Sequence, residues 1–435
     1  MNESDGNWLL RAITRLFNIE AREAPAVLAG LLMFFFLFTG YFMLRPVRET
    51  MGVAGGVDNL QWLFTATFVA TLAALPLYGW IASKAARRRI LPWTYGFFVL
   101  NLLAFAAGLL AQPENLWLAR SFYVWLSVFN LLTISLAWSV LADLLATQQA
   151  KRLFALIAGG ASLGGLTGPL LGTLLVAPLG HAGLLVLSAV FLAASAASAV
   201  WLQRWRDRHP LPTEAASARR LPLGGNPFAG ATSVFQSKYL MVIAVFVILL
   251  TSVSTFLYFE QARLVAETFT DRTRQTQVFG TIDTVVQALA ILTQVLLTGR
   301  VAQRLGVGVL LVAVPLVVAA GFLWLALSPV FAVFVVVMVV RRAGEYAFVR
   351  PGREMLYTVV SAEQKYKAKN FIDTVVYRGG DAVSAWAKRG LDLMADHPAA
   401  AMVIGAFIAL AWAATGGLLG KWHRQREDAP PAGSG

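Results

Sequence analysis

Apolar residues along this chain come in blocks of roughly twenty, the length that crosses the hydrocarbon core of a bilayer as a helix, and short clusters of charge and turn-forming residues separate them. Blocks near 26–47, 60–82, 90–111, 116–142, 153–177 and 181–203 predict six spans. A hydrophilic stretch follows, and blocks near 239–262, 277–299, 307–327, 329–350, 370–393 and 398–420 predict six more. The expected fold class is an all-α polytopic membrane protein of about twelve transmembrane helices in two six-helix halves. The expected organisation is an amphipathic N-terminal segment over 1–24, a first half over 25–203, a linker over 204–238, a second half over 239–420 and a tail over 421–435. In the first segment Trp8, Leu9, Ile13, Leu16 and Phe17 recur at helical spacing opposite Arg11 and Arg15, which suits a helix lying on the membrane surface. The linker mixes five arginines with Pro210, Pro212, Pro222 and Pro227, a composition that breaks helices and stays in water.

Composition sharpens this picture. Hydrophobic residues make up 58% of the 435 positions and charged residues 14%, with a mean hydropathy of +0.65, which no water-soluble fold requires. The first block, Ala26 to Leu44, is too long for the core of a signal peptide and runs into Arg45 and Pro46 instead of a small-residue cleavage site, so it is expected to stay as a span. The net charge of +13 resides mostly in short loops between spans, where membrane orientation explains it better than a nucleic-acid polymer would. The expected partners are the lipid bilayer and a small solute. Without cysteine there are no disulfides, thiolate metal sites or cysteine nucleophiles. His181, His209, His397 and His423 show no ligand-like spacing, so neither metal nor cofactor is expected. No phosphate-cradling glycine loop sits between a strand and a helix, and no nucleophile–base arrangement is visible, which argues against an enzyme. Gly159, Gly160, Gly164, Gly165, Gly168 and Gly172 lie in or near a span, where close helix packing accounts for them.

An even number of spans places both termini on one side. Loops on the side of the N-terminal arm carry twenty-five Lys and Arg and the opposite loops eight, so the termini and linker are expected in the cytoplasm of a bacterial inner membrane. The cysteine-free chain makes this directly testable. Ser217→Cys should react with an impermeant thiol reagent only from the cytoplasmic side and Thr270→Cys only from outside; labelling of Ser217→Cys in intact cells reverses the orientation.

The two halves echo each other. At an offset of 218, Arg45, Glu49 and Thr50 after span 1 align with Arg263, Glu267 and Thr268 after span 7, and Ala150-Lys151 aligns with Ala368-Lys369. At an offset of 220, Gly79, Ala82 and Lys84 meet Gly299, Ala302 and Arg304. Parallel six-helix repeats are the plan of major facilitator transporters, whose solute cavity lies near the midplane. Gly79 to Arg89 also resembles that superfamily's loop signature after span 2, although Ser83 stands where an aspartate is usual, and a plain cluster of orienting positive charges explains the arginines equally well.

A charge inside the hydrocarbon costs about 2.5–3.5 kcal/mol on insertion scales, so charged residues within spans pair or line water-filled cavities. Spans 3, 6, 9 and 12 have none in their apolar cores. Spans 7, 8, 10 and 11 do, with Glu260, Asp283, Arg341, Arg342, Glu345, Asp373, Arg378 and Asp381, and span 1 carries Arg45, Arg48 and Glu49 at its outer end. That division matches the peripheral and cavity-lining helices of major facilitators. Arg341 and Arg342 lie near mid-bilayer; Glu345, one turn on, can pair with Arg341, which leaves Arg342 for an anion. The alternative is an ion-pair cluster that merely holds span 10 to its neighbours. In span 11, Asn370, Asp373, Tyr377, Asp381, Ser384 and Lys388 recur every three or four residues and are expected on one face. Asp283, Gln287 and Gln294 in span 8, and Thr251, Ser254, Tyr258 and Gln261 in span 7, form similar stripes.

Three segments carry a more specific resemblance: YFMLRPVRETMGV at Tyr41–Val53, QQAKRLFALIAGGASLGGLTGPLLG at Gln148–Gly172, and REMLYTVVSAEQKYKAKNFIDTVVYRGGDAVSAW at Arg353–Trp386. They are similar to the ATP/ADP translocases of bacteria and plastids, twelve-helix relatives of the major facilitators that exchange nucleotides. The resemblance implies that Arg48 and Glu49 are the basic–acidic pair closing span 1, that Ala150, Lys151 and Arg152 are the motif before span 5, and that Lys365, Lys367, Lys369, Ile372 and Asp373 are the motif entering span 11. The chain departs from the pattern at Arg48, where lysine is commoner, and at Gly379-Gly380-Asp381. The implied function is exchange of a small anionic solute, with ATP and ADP as the type. The candidate solute-binding residues are Arg45, Arg48, Glu49, Glu260, Asp283, Arg341, Arg342, Glu345, Lys369, Asp373, Tyr377, Arg378 and Asp381. The carboxylates among them leave open a proton-coupled transporter for another organic solute, and the fold alone leaves open a non-transporting sensor or assembly factor.

Overall fold

The structure is a computed structural model that describes residues 23–84, 87–144, 147–209, 230–394 and 398–428. The expected surface helix before residue 23 and the linker stretch 210–229 lie outside the described residues, as do the side chains of Lys84, Arg87, Arg88, Lys151 and Arg152. Among the described residues the chain forms twelve long helices. The first four are α1 (Ala24–Ala54), α2 (Leu60–Lys84), α3 (Arg87–Ala111) and α4 (Leu116–Leu144). The helical stretch Thr147–Arg208 turns at Gly180, whose φ of 66° only glycine adopts without strain, giving α5 (147–179) and α6 (181–208). Then come α7 (Lys238–Thr268), α8 (Arg272–Leu305), α9 (Val307–Leu327), α10 (331–356), α11 (362–394) and α12 (Pro398–Glu427). Every predicted block falls on one of them. The helices overrun the blocks because polar ends continue the helix beyond the hydrocarbon, most clearly where the segment Ala362–Lys369 extends α11.

Among the described residues eight helical stretches are long and apolar enough to cross a membrane, one of them containing the Gly180 turn. The chain is a multi-pass membrane protein.

The helices gather into two compact units. The first takes α1 to Met51, α2 from Ala73, α3 to α6, and the start of α8 over Asp271–Thr281. The second takes Gly52–Leu72, α7, α8 from Ile282 onward, and α9 to α12.

In the first unit α1 is held by main-chain contact. Gly160, Gly164, Gly168 and Gly172 recur every four residues on α5 and lie against successive turns of α1. A Cβ on Gly164, Gly168 or Gly172 would stand 2.5, 2.7 or 3.0 Å from the carbonyl oxygen of Phe35, Thr39 or Met43, and one on Gly160 would overlap the carbonyl of Leu31. From α6, Ser195 Oγ donates to Met33 O at 2.8 Å and Ser188 Oγ to Gly40 O at 3.1 Å. Small residues permit this approach and hydroxyls secure it, the usual economy of helix packing where lipid offers no hydrophobic drive. The glycine-rich run is therefore a packing stripe, as its sequence suggests.

In the second unit α9 and α12 make the same kind of contact. A Cβ on Gly416 would stand 2.8 Å from Leu311 O, and Gly420 lies against Gly308. Phe246 of α7 packs on Trp412 of α12. Three turns in this unit are wound as π-helix: Gln294–Thr298 in α8, Glu345–Val349 in α10 and Ile372–Val376 in α11. Such turns free backbone carbonyls from the regular ladder and are frequent at functional sites. Here α8 caps two of those in α10, with Gln294 Nε2 donating to Tyr346 O and Thr298 Oγ1 to Ala347 O, both at 2.8 Å.

Candidate functional site

The second unit concentrates its buried charge on α10. Arg341, Arg342 and Glu345 are each 6–7% exposed and Asp283 of α8 is 3% exposed. Arg341 and Glu345 share a helix face, and their ion pair closes at 3.0 Å. The same Arg341 Nη1 donates to Ser254 Oγ of α7 at 2.7 Å, tying α10 to α7. Arg342, expected to be left for an anion, projects about 100° further round the helix and pairs with Asp283 Oδ1 at 2.5 Å. The quartet is electrically neutral, as burial demands. It is not saturated: Arg341 Nε and Arg342 Nη2 are buried without an acceptor among the described residues.

One to three turns on, the charge becomes positive. Arg350 Nε lies 3.7 Å from Glu345 Oε1, and its guanidinium sits 4.3 Å from the centre of the Tyr346 ring. Arg353 Nη2 reaches Asp373 Oδ1 of α11 at 3.1 Å, and Lys369 Nζ reaches Glu354 Oε2 at 2.5 Å. Counting Arg341, Arg342, Arg350, Arg353 and Lys369 against Asp283, Glu345, Glu354 and Asp373 leaves one positive charge in excess. Tyr357, in the turn between α10 and α11, has its phenol pushed up by burial, so it remains an O–H donor.

Of the remaining α11 candidates, Tyr377 lies within electrostatic reach of Arg341, Glu345 and Arg350 and also of Arg378 and Asp381. Arg378 Nη1 lies 3.6 Å from Asp381 Oδ2 and its guanidinium 5.9 Å from the Tyr377 ring. Ser384 meets Ser252 of α7 at 2.8 Å, and Lys388 bonds to Asp392. The π-turn over Ile372–Val376 breaks the expected single stripe, because it shifts residues after it by one position relative to Asn370. Glu260 is elsewhere: it is gripped by Arg263 on the next turn of α7.

In the first unit the end of α1 builds its own small site. Arg48 Nε donates to Tyr123 O of α4 at 3.2 Å, and its guanidinium lies 3.7 Å from the centre of the Tyr123 ring, close enough for a cation–π contact. Its Nη1 bonds Glu49 Oε1 at 3.1 Å, while Glu49 Oε2 is buried with no hydrogen-bond partner among the described residues. Arg45 lies 6.0 Å from the Phe42 ring. Thr50 bonds Thr276 at the start of α8 at 2.7 Å, and His181 bonds the same Thr276 hydroxyl at 2.9 Å.

Sequence reasoning passed over Tyr123, Arg350 and Arg353 as site residues. Both arginines are among the twenty-five loop charges that orient the chain, and Arg353 opens one of the three segments similar to the ATP/ADP translocases. No sequence signal pointed to Tyr123.

Charges paired and buried within membrane-spanning helices are what a polar solute path requires, and the family to which the chain belongs gives the class. The profile of the Major Facilitator Superfamily matches residues 27–349. The chain belongs to that superfamily, and is a transporter of small solutes. No curated protein sequence matches it. Solved structures share the fold: a bacterial homologue of the iron transporter ferroportin at 14% identity, covering 94% of this chain and 99% of that one with a TM-score of 0.62; the nucleoside transporter NupG at 14%, covering 94% and 100%, with 0.59; and the human organic anion transporter MFSD10 (TETRAN) at 16%, covering 91% and 100%, with 0.57. Identities this low speak for the fold alone.

Proposed function

We propose that this protein exchanges an organic anion of the nucleotide type across the membrane by alternating access, and that the Arg341–Arg342 cluster binds it. The observation that carries this reading is a pair of arginines buried at mid-span with two donor nitrogens lacking acceptors among the described residues. Arginine forks give charge-assisted, bidentate bonds to phosphate or carboxylate, and a buried fork with spare donors is a site awaiting an acceptor. The segments similar to ATP/ADP translocases support the nucleotide as the type of solute. Arg350, Arg353 and Lys369 extend the positive field along α10 and α11 and would meet the further charges of a di- or triphosphate. An incoming anion would take the spare donors and compete with Asp283 and Glu345 for the guanidinium groups they already hold. Exchange of one anion for another, in place of net uptake, rests on the same resemblance.

The buried Glu49, whose Oε2 has no hydrogen-bond partner among the described residues, favours a second reading, coupling to protons. Proteoliposomes separate the two. Vesicles preloaded with unlabelled nucleotide should take up labelled nucleotide rapidly with little response to an imposed pH gradient, and empty vesicles should take up almost none. Uptake into empty vesicles driven by outside acid, and lost in Glu49→Gln, would replace exchange by proton symport.

A further inference from the structure

At the end of α7 the second unit holds a cleft that the solute cluster does not use. Its walls are Glu260, Arg263, Leu264 and Glu267 of α7, Leu325, Ala326 and Pro329 at the end of α9, and Ala399 and Met402 at the start of α12. Its volume of about 430 Å³ is in the range that receives a small organic group. Two features of it are independent of each other.

The first is charge. Arg263 donates Nε and Nη2 to Glu260 and Nη1 to Glu267, the last at 3.2 Å. Three of the guanidinium's five N–H groups are used and two remain, while the trio as a whole carries one negative charge. Glu260 is buried, but the Glu267 side chain is 57% exposed and offers carboxylate to the cleft. The site thus presents an acceptor for a cation beside spare donors for an anion, a match for a zwitterion whose two charges are a few ångströms apart.

The second is height. The charge-free run of α7 from Tyr239 to Phe259 covers about 30 Å, the thickness of the hydrocarbon, and the trio begins on the next turn. The other walls are also helix ends, the last turn of α9 and the first of α12. The cleft therefore lies at the level of the lipid headgroups, with apolar Leu264, Leu325, Ala326 and Met402 lining it beside the charges.

We infer that this cleft binds an aminophospholipid of the phosphatidylethanolamine type: the ammonium on Glu267, the phosphate on the spare N–H groups of Arg263, and the first acyl methylenes on the apolar wall. A choline headgroup cannot substitute, because its quaternary nitrogen has no N–H to donate. The test compares purified protein in nanodiscs of phosphatidylethanolamine and of phosphatidylcholine, by thermal midpoint and by lipid retained in native mass spectrometry. The wild type should melt a few degrees higher in phosphatidylethanolamine, as expected for a ligand that binds only the folded state, and retain that lipid at roughly tenfold preference. Glu267→Gln, an exposed position that the fold tolerates, should erase both differences. Ala326→Phe, which fills the cleft and leaves the trio intact, should do the same. Equal stability and retention in the two lipids, or an undiminished preference in both variants, overturns the site. If soluble phosphoethanolamine in detergent reproduces the full shift, the cleft binds a free solute and the lipid assignment fails.

Discussion

Arg342→Gln is expected to abolish transport, and the companion variant Arg342→Gln/Asp283→Asn should show why. The single change leaves Asp283 charged and buried without its partner, a situation that costs about 3–5 kcal/mol, so loss of activity could reflect loss of fold. The double change removes both charges and keeps the shape. It should recover thermal stability and expression to near wild type while uptake stays at least about thirtyfold down, since truncating a buried, hydrogen-bonded charge costs on the order of 2 kcal/mol or more of binding. Arg342→Lys should recover little, because an ammonium cannot hold Asp283 and offer a second directed donor in the same plane. Wild-type uptake by the stable double variant would reduce the pair to a strut between α8 and α10.

The second large effect should come from the α5 stripe. Gly164→Ala places a methyl 2.5 Å from the Phe35 carbonyl and 2.9 Å from the Thr39 nitrogen, main-chain atoms that move only if α1 moves. Overpacking of this kind costs about 1–3 kcal/mol, and Gly168→Leu more. Gly159→Ala is the internal control: it lies in the same helix with nothing within 4 Å of its Cβ position, and helix propensity alone should make it stabilising by roughly 0.5–1 kcal/mol. Opposite signs for two glycine-to-alanine changes five residues apart would establish backbone contact between α1 and α5. Equal thermal midpoints for the two variants would refute it.

Much of this architecture is legible in the sequence because the bilayer imposes one simple demand. A span must be long, apolar and free of stray charge, and block lengths report that directly, so all twelve helices can be located and the four uncharged spans recognised. The glycines at intervals of four are likewise read by spacing alone, as is Arg341 with Glu345. What sequence does not carry is partner choice across helices. Arg342 and Asp283 are fifty-nine positions apart, and nothing in either residue selects the other. The π-turns are equally silent, for they contain ordinary residues, and they mislead a helical wheel: Asp373 and Lys388 of α11 fit one stripe on paper but are separated by a turn with an extra residue. Arg350 and Arg353 were legible as charges but not as members of a cluster, because their position near a helix end gives them an adequate topological explanation.

The single-residue turn at Gly180 has a mechanical consequence. Among the described residues, α3 and α4, α7 and α8, and α9 and α10 are joined by three or four non-helical residues. By contrast α5 passes into α6 through Gly180 alone, and both clasp α1, one through glycine–carbonyl contact and the other through serine hydroxyls. The three rods form a triangulated truss whose members cannot be displaced singly. A displacement of α1 would therefore have to carry α5 and α6 with it, because the contacts that hold it are made to its main chain.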